Sequence, residues 1–180
     1  MRRVLKSLLL VCAVGALVGL SAVPASAGPV SDPFPIKNVG NSKCLQPQGG
    51  SAAEFTPVVQ EFCNGSPQQQ WQYELIGGTR YHLINTFSHL CMNVFGPTAN
   101  GTPILLVQCV TVSNEEFNPG QKLPGVVKLM SRAGNRDTNF CVDVPGAQNL
   151  PGLAMQLWGC NGSVAQIFTV GEPVTGFAHK

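Results

Sequence analysis

Residues 141–160 read CVDVPGAQNLPGLAMQLWGC, and this stretch carries the pattern that decides the fold. Its cysteines, Cys141 and Cys160, lie 19 positions apart, with an Asp two residues after the first and a Trp two residues before the second. Two earlier cysteine pairs have spacings of 19 and 18 residues, and the first cysteine of a pair returns after 47 and then 50 residues. The chain therefore contains a threefold internal repeat, and the repeat has to be recognised before a fold is assigned.

Other features recur in phase with the cysteines. An aromatic residue closes each unit 26 or 27 residues after its first cysteine: Trp71, Phe117 and Phe168. We expect these three aromatics to pack in the core around the threefold axis. Six cysteines allow fifteen pairings, and the simplest one that respects the repeat stays within each unit. It joins Cys44 to Cys63, Cys91 to Cys109 and Cys141 to Cys160. In the chain-entropy model each loop closure stabilises the fold by roughly 3 kcal/mol.

The first 27 residues have the features of a secretory signal peptide. Arg2, Arg3 and Lys6 form a basic start, an apolar run follows, and the Ala-Ser-Ala sequence at 25–27 is typical of a cleavage site. The apolar run is too short for a typical membrane span. We therefore expect cleavage near Ala27 and a secreted, extracellular protein, a setting in which an even number of cysteines indicates disulfides.

The remaining chain is nearly neutral and has the length of one domain. Without the three basic residues of the signal peptide, 8 Lys and Arg stand against 9 Asp and Glu. This balance favours neither a nucleic acid nor a membrane surface as a partner. His82, His89 and His179 show no metal-ligand spacing, so neither a metal nor a cofactor is expected. We expect a monomer.

The segments between the repeated markers predict an all-β fold. They are short, alternate in polarity and are bounded by Gly, Pro, Asn and Ser, as at 81–87, 140–144 and 153–160. About four strands per unit are expected, and the three units should share one core because a single unit could not bury its apolar face. Pro119 is expected to cut short the last strand of the second unit.

Three sets of strings resemble the ricin B-type lectins: CLQP…QEFC…QQW, CMNV…LVQC…EEF and CVDV…QLWGC…QIF. The resemblance implies a β-trefoil with three four-stranded repeats, pseudo-threefold symmetry and one disulfide per repeat. It covers residues 34–172, with repeats at about 34–79, 80–125 and 126–172. A short N-terminal linker at 28–33 and a C-terminal tail at 173–180 would flank this domain.

Strand geometry predicts which side chains the third unit presents to a partner. Alternation puts four apolar residues on the core face: Val142, Val144, Met155 and Leu157. The other face carries Asp143, Gln156 and Trp158. If the two cysteines lie opposite each other, Asp143 faces Trp158 with Cβ atoms about 5 Å apart. An indole offers an apolar platform and a carboxylate offers strong acceptors, a combination that suits a sugar.

The resemblance assigns roles to these residues. It implies that Asp143 fixes two hydroxyls, that Trp158 stacks on the sugar ring, and that Gln156 and Gln166 complete the polar ring. Ala165 departs from the family pattern, since an Asn is expected there. The departure removes a hydrogen bond and leaves the sugar specificity open.

The other two units depart further from that pattern. In the first, Gln46 takes the Asp position and Glu61 the aromatic position, so Gln46 and Gln69 form a second, weaker candidate site. In the second, Asn93 would face Val107, and we expect no working site there.

Structural roles are open for several of these residues. Asp143 precedes Val-Pro-Gly and could serve a turn, Trp158 could be buried if the parity were reversed, and Gln69 and Gln166 could satisfy backbone groups. Three Asn-Gly-Ser/Thr sequences match glycosylation sites but are also typical of turns. They begin at Asn64, Asn100 and Asn161.

The sequence favours a binding protein over an enzyme. Glycosidases use two carboxylates across a cleft, and no pair here shows such a relation, since Glu115 and Glu116 are neighbours. A non-catalytic lectin that binds a saccharide or polysaccharide is therefore expected. The alternatives are a β-trefoil interaction protein, such as a protease inhibitor acting through Arg132–Asn139 or Ser113–Pro124, and an accessory module that targets another secreted enzyme to polysaccharide.

Overall fold

A computed structural model describes residues 28–123, 125–133 and 138–171 of this chain. The predicted signal peptide and C-terminal tail lie outside these ranges. So does Arg136 with the middle of the Arg132–Asn139 loop that was considered as an inhibitory loop. None of the helices in the described ranges has the length and apolar character needed to cross a membrane.

The described residues form thirteen short strands. In the first unit these are β1 (Phe34–Pro35), β2 (Lys37–Asn38), β3 (Cys44–Pro47), β4 (Val58–Glu61) and β5 (Gln70–Gly77). The second unit contains β6 (Arg80–Asn85), β7 (Cys91–Val94), β8 (Thr102–Val107) and β9 (Phe117–Leu123). The third contains β10 (Val126–Ser131), β11 (Phe140–Asp143), β12 (Gln156–Gly159) and β13 (Phe168–Thr169). Because β1 and β2 are separated only by Ile36, the four-stranded unit predicted from the repeat is present three times.

Strand pairing follows the same threefold plan. The last strand of each unit pairs with the first strand of the next, as in β5 with β6, β9 with β10 and β13 with β2. It also pairs with the first strand of its own unit, through β1 with β5, β6 with β9 and β10 with β13. The middle strands form three hairpins: β3 with β4, β7 with β8 and β11 with β12. A ring of first and last strands with three hairpins is a β-trefoil, as predicted.

One core is shared by all three units. Alternate residues of the long strands point inward: Trp71, Tyr73 and Leu75 of β5 are buried, while their neighbours are half-buried. The three closing aromatics are 0% exposed, which confirms that they are core residues. The indole N–H of Trp71 donates to the Leu45 carbonyl at 2.9 Å, a bond that the phenylalanines of the other units cannot form.

The disulfides pair as the repeat predicted: Cys44–Cys63, Cys91–Cys109 and Cys141–Cys160. Each joins the start of a unit's hairpin to the segment beyond its second strand: Cys63 and Cys109 lie two residues beyond β4 and β8, and Cys160 directly follows β12. The cross-links therefore lie at the same place in each unit and fix the open end of every hairpin.

Two expectations about the second unit are wrong. Strand β9 runs through Pro119, which pairs with Leu129 of β10. The described pairing of β9 with β6 involves only Phe117, so Pro119 lies where one side of β9 has no strand partner in the described ranges, and a missing N–H is tolerated there. The second expectation was that Ser113–Pro124 could be an exposed inhibitory loop. A 3-10 turn and strand β9 occupy residues 113–123 instead.

The segment expected to be a linker lies against the barrel. Val30 forms an antiparallel bridge with Glu74, and the Ser31 N–H donates to the Tyr73 carbonyl at 2.9 Å. The Leu75 N–H donates to the Pro29 carbonyl at 3.1 Å. Residues 29–31 thus extend the pairing along β5.

Candidate functional site

The β11–β12 hairpin holds most of the predicted site, but its register differs from the one expected. Cys141 lies opposite Trp158, and Asp143 lies opposite Gln156. The assumption that Cys141 and Cys160 are opposite each other was wrong. The Cys160 N–H bonds to the Asn139 carbonyl, so the disulfide joins residues two register positions apart.

The predicted division of faces is nevertheless correct. The four residues assigned to the core face, Val142, Val144, Met155 and Leu157, are at most 1% exposed. On the opposite face, Trp158 is 39% exposed, so its indole presents a surface to solvent and is not a core residue. A shift of two residues leaves side-chain parity unchanged, because the strand period is two.

Asp143 lies at the base of a cluster of polar side chains. It is only 4% exposed, and each of its carboxylate oxygens accepts one side-chain hydrogen bond. Gln156 Nε2 donates to Oδ2 at 2.8 Å, and Gln166 Nε2 donates to Oδ1 at 3.1 Å. A carboxylate has about four acceptor positions, so each oxygen can still accept a hydroxyl. Burial raises the pKa of Asp143, and the bonds from Gln156 and Gln166 oppose that shift.

Gln166 lies behind Asp143 and is 0% exposed. Its Nε2 also donates to the Gly159 carbonyl at 3.0 Å, and its Oε1 accepts from the Asn161 N–H at 2.8 Å. All of these contacts are internal. Gln166 therefore fixes the carboxylate and the chain after β12, and the geometry favours the structural role that the sequence left open.

An open pocket of about 510 Å³ lies over this cluster. Asp143, Gln156 and Trp158 line it, and Ala165 lies in its wall. Residues that the sequence did not assign to the site complete the lining: Val144, the Pro145–Ala147 turn, Asn161 and Ser163. The pocket thus has a carboxyl group at its floor, an indole in its wall and exposed polar side chains at its rim.

Asn161 was interpreted as a turn residue, and its geometry agrees with that role. Its Oδ1 accepts from the Ser163 N–H at 2.9 Å across Gly162. The same turn recurs in the first unit, where Asn64 Oδ1 accepts from the Ser66 N–H. Asn100 differs, because its Oδ1 accepts from the Gly159 N–H of the third unit at 2.8 Å. The Asn-Gly-Ser turn therefore recurs in phase in the first and third units, directly after the second cysteine, while Asn100 lies at a different place in the second unit.

The first unit has the same internal frame, by which we mean the hydrogen bonds that join the residue two before the closing aromatic to the hairpin side chain and to the backbone N–H after the second cysteine. The exposed side chains around this frame differ from those of the third unit. Gln69 Nε2 donates to Gln46 Oε1 at 2.9 Å, and Gln69 Oε1 accepts from the Asn64 N–H at 2.8 Å. The structure thus brings the two predicted residues together. However, Val59 lies opposite Gln46, and Glu61 occupies the register position that Trp158 has in the third unit.

The second unit keeps the frame with the acid and amide exchanged. Asn93 Nδ2 donates to Glu115 Oε1 at 3.3 Å, and Glu115 Oε2 accepts from the Val110 N–H at 2.8 Å. Glu115 is 1% exposed, and burial raises its pKa. Asn93 lies opposite Leu105 and not opposite Val107 as expected, because the register offset applies here too.

The fold and the third-unit pocket define a β-trefoil protein with a polar, indole-lined site, and solved structures share this fold. The designed threefold-symmetric protein ThreeFoil superposes with a TM-score of 0.72 at 19% identity, covering 78% of this chain and 98% of that chain. An exo-beta-1,3-galactanase from Clostridium thermocellum gives 0.71 at 21%, covering 83% of this chain but 31% of that chain. The Macrolepiota procera ricin B-like lectin in complex with lactose gives 0.63 at 19%, covering 84% and 100%.

Residues 27–107 match the model of the family described as ricin-type beta-trefoil lectin domain-like. Together with the fold, this match confirms the resemblance to the ricin B-type lectins. The matched residues comprise the first unit and much of the second, so the pocket of the third unit lies beyond them. No curated protein matches the chain.

Proposed function

We propose that this chain is a secreted, non-catalytic lectin whose main saccharide site is the pocket of the third unit. The observation that carries the proposal is the fixed Asp143 carboxylate beside a half-exposed indole. Both oxygens of Asp143 are oriented by amide donors and retain acceptor capacity, and Trp158 stands on the same face of the hairpin.

This arrangement suits a pyranose ring. The carboxylate accepts hydrogen bonds from hydroxyls, and charge-assisted bonds of this kind are stronger than neutral ones. The indole packs against the C–H side of the ring. Gln156 and the exposed Asn161 and Ser163 can exchange hydrogen bonds with further hydroxyls at the rim.

The similar proteins support a sugar as the ligand class. The Macrolepiota lectin is described in complex with lactose, and the galactanase acts on a galactose polymer. The galactanase also supports the second candidate function, an accessory module for polysaccharide. This chain matches 31% of the length of that enzyme, so the matched fold is one part of a longer protein there.

The contacts and burial of Glu115 and Glu116 agree with binding without catalysis. Glu115 is engaged by Asn93 and the Val110 N–H, and Glu116 forms an ion pair with Arg80 at 3.1 Å. Both glutamates are buried, and neither lines the pocket. A hydrolase of the common two-carboxylate type needs an acid and a second carboxylate at the bond that is cleaved.

The first test is a glycan and polysaccharide array with residues 28–180 and the Trp158→Val variant. Val is the matched replacement, because Val107 takes the same register position in the second unit. We expect Trp158→Val to lower affinity about two- to tenfold through loss of stacking. Stability should change by only about 0.5 kcal/mol, because the side chain lies at the surface. A wild-type chain that binds no glycan contradicts the proposal.

Binding should weaken as the pH falls through the raised pKa of Asp143. Protonation removes the charged acceptor, so affinity for the saccharide declines on acidification and is constant above this range. The stability of the fold depends on pH in the opposite direction. A carboxyl whose pKa is raised in the folded state contributes stability that is fully present below its unfolded pKa and is lost as the pH rises through its folded pKa. Titrating saccharide at several pH values, with circular dichroism as the folding control, tests this. Constant affinity across the range would contradict the role of Asp143.

A further inference from the structure

Two phenylalanines form an exposed pair in the region where the first and second units meet. Phe55 is 57% exposed and Phe95 is 46% exposed. Their ring centroids lie 5.5 Å apart with an interplanar angle of 68°, an edge-to-face contact. The pair leaves ring surface open to solvent, and no residue of the third-unit pocket belongs to it.

The backbone of Phe55 is strained. Its φ is +62°, a left-handed conformation that is unusual for a bulky residue. The Phe55 N–H donates to the Leu106 carbonyl at 2.7 Å, and Gly101 and Gly152 make the equivalent bonds to Leu157 and Gln60. Both glycines also have positive φ, +85° and +75°. The second and third units thus use Gly where the first has Phe, and the chain retains an unfavourable residue whose ring is exposed.

The second-unit counterpart of the third-unit pocket is apolar. The residues corresponding to Gln156, Trp158, Asn161 and Ser163 are, in that order, Leu105, Val107, Val110 and Val112. Phe95 follows Val94 of β7 as Pro145 follows Val144 in the third unit. At the base, Asn114 Nδ2 donates to Asn93 Oδ1 at 3.3 Å, and Glu115 is satisfied internally. This surface can contact the C–H groups of a sugar but offers no charged clamp for hydroxyls.

One loop connects this surface to the third-unit pocket. It begins at Phe95 and reaches Asn100 and Gly101, which bond to Gly159 and Leu157 on either side of Trp158. Asn100 is five positions after Phe95, so their Cα atoms are at most about 18 Å apart. The residues from Phe95 to Gly101 are exposed, and the surface between the two places is therefore continuous.

We propose that the Phe55–Phe95 pair is a stacking subsite for a further sugar residue of the same saccharide chain that occupies the third-unit pocket. The inference rests on the proposed function and refines its ligand to a polymer. The pocket clamps one residue through Asp143, and the aromatic pair contacts the C–H face of another. Because the second contact is linked to the first through the ligand, it raises affinity for chains and not for single sugars.

Phe55→Gly is the test variant, since it restores the residue that the other two units have. Phe87→Ala is the matched control, because Phe87 is 41% exposed and lies in the turn between β6 and β7. Both variants and the wild type are titrated with galactose, mannose and xylose and with β-1,3-galactan, mannan and xylan. We expect Phe55→Gly to weaken polymer binding about two- to tenfold, with monosaccharide binding unchanged and a melting temperature at or above that of the wild type.

The outcomes separate this inference from the proposed function. Unchanged polymer binding in Phe55→Gly overturns the subsite while monosaccharide binding upholds the pocket. An equal loss in Phe87→Ala also overturns it. If Phe55→Gly abolishes a concentration-dependent dimer in sedimentation and leaves polymer binding intact, the surface is a contact with a second copy. A wild-type chain that binds none of the six saccharides overturns both proposals.

Discussion

Replacing Asp143 with Asn is expected to lower saccharide affinity roughly a hundredfold, the largest effect that a single change at the pocket should have. The variant removes the charge that makes the hydroxyl bonds strong and replaces one acceptor by a donor. Calorimetric titration against the glycan selected by the array measures the loss. The same titration at low pH should show no further decline, because the group that titrates is absent.

Retention of the fold in Asp143→Asn is expected on two grounds. Amides already stand at this position in the other units, and in the first unit the Gln46 amide oxygen accepts from Gln69 as the new Asn would from Gln166. The fixed Gln166 needs an acceptor, which the Asn carbonyl supplies, and the half-exposed Gln156 can turn its amide to accept from the new NH₂ group. An unchanged melting temperature with full saccharide affinity would show that Asp143 is not the clamp.

Replacing Trp71 with Ala should lower the free energy of unfolding by about 3–5 kcal/mol. The side chain is 0% exposed, so its removal leaves a cavity in the shared core, and the Leu45 carbonyl loses its indole donor. Urea unfolding followed by fluorescence of the remaining Trp158, or by circular dichroism, measures the change.

Trp71→Phe is the matched control, because Phe117 and Phe168 occupy the same place in the other units. It retains most of the packing and removes the hydrogen bond, so a loss of about 1–3 kcal/mol is expected. If Trp71→Ala and Trp71→Phe destabilise equally, the hydrogen bond, and not packing around the axis, accounts for the contribution of Trp71.

The sequence was sufficient for the architecture because the repeat constrains it three times over. The regular spacing of the cysteines predicted both the disulfide pairing and the burial of the three closing aromatics. Side-chain parity in β11 and β12 was also predictable, since burying Val142 on one face forces Asp143 to the other.

The register of the hairpin was not predictable from the cysteines alone. A disulfide can join residues that are directly opposite or diagonal, and both arrangements leave the core face unchanged. The diagonal arrangement found here places Gln156 and not Trp158 opposite Asp143. That difference matters chemically, because Gln156 reaches the carboxylate and leaves the indole free for a ligand.

Parts of the pocket were missed because loop side chains follow no period. Asn161 and Ser163 reach the rim through a turn after the second cysteine, and Pro145–Ala147 enter through the turn after β11. A signal for Asn161 existed in the sequence: its Asn-Gly-Ser turn recurs at Asn64. Nothing in the sequence pattern gives the position of such a turn relative to Trp158.

The internal frame of each unit has a consequence for how motifs of this kind are counted. Gln166, Gln69 and Glu115 all bind the backbone N–H just after the second cysteine of their unit. That task is architectural and is carried out whether or not a ligand is present. The residue two positions before the closing aromatic therefore serves the loop in every unit, and a count of such motifs gives the number of structural units, not the number of sugars that a chain can hold.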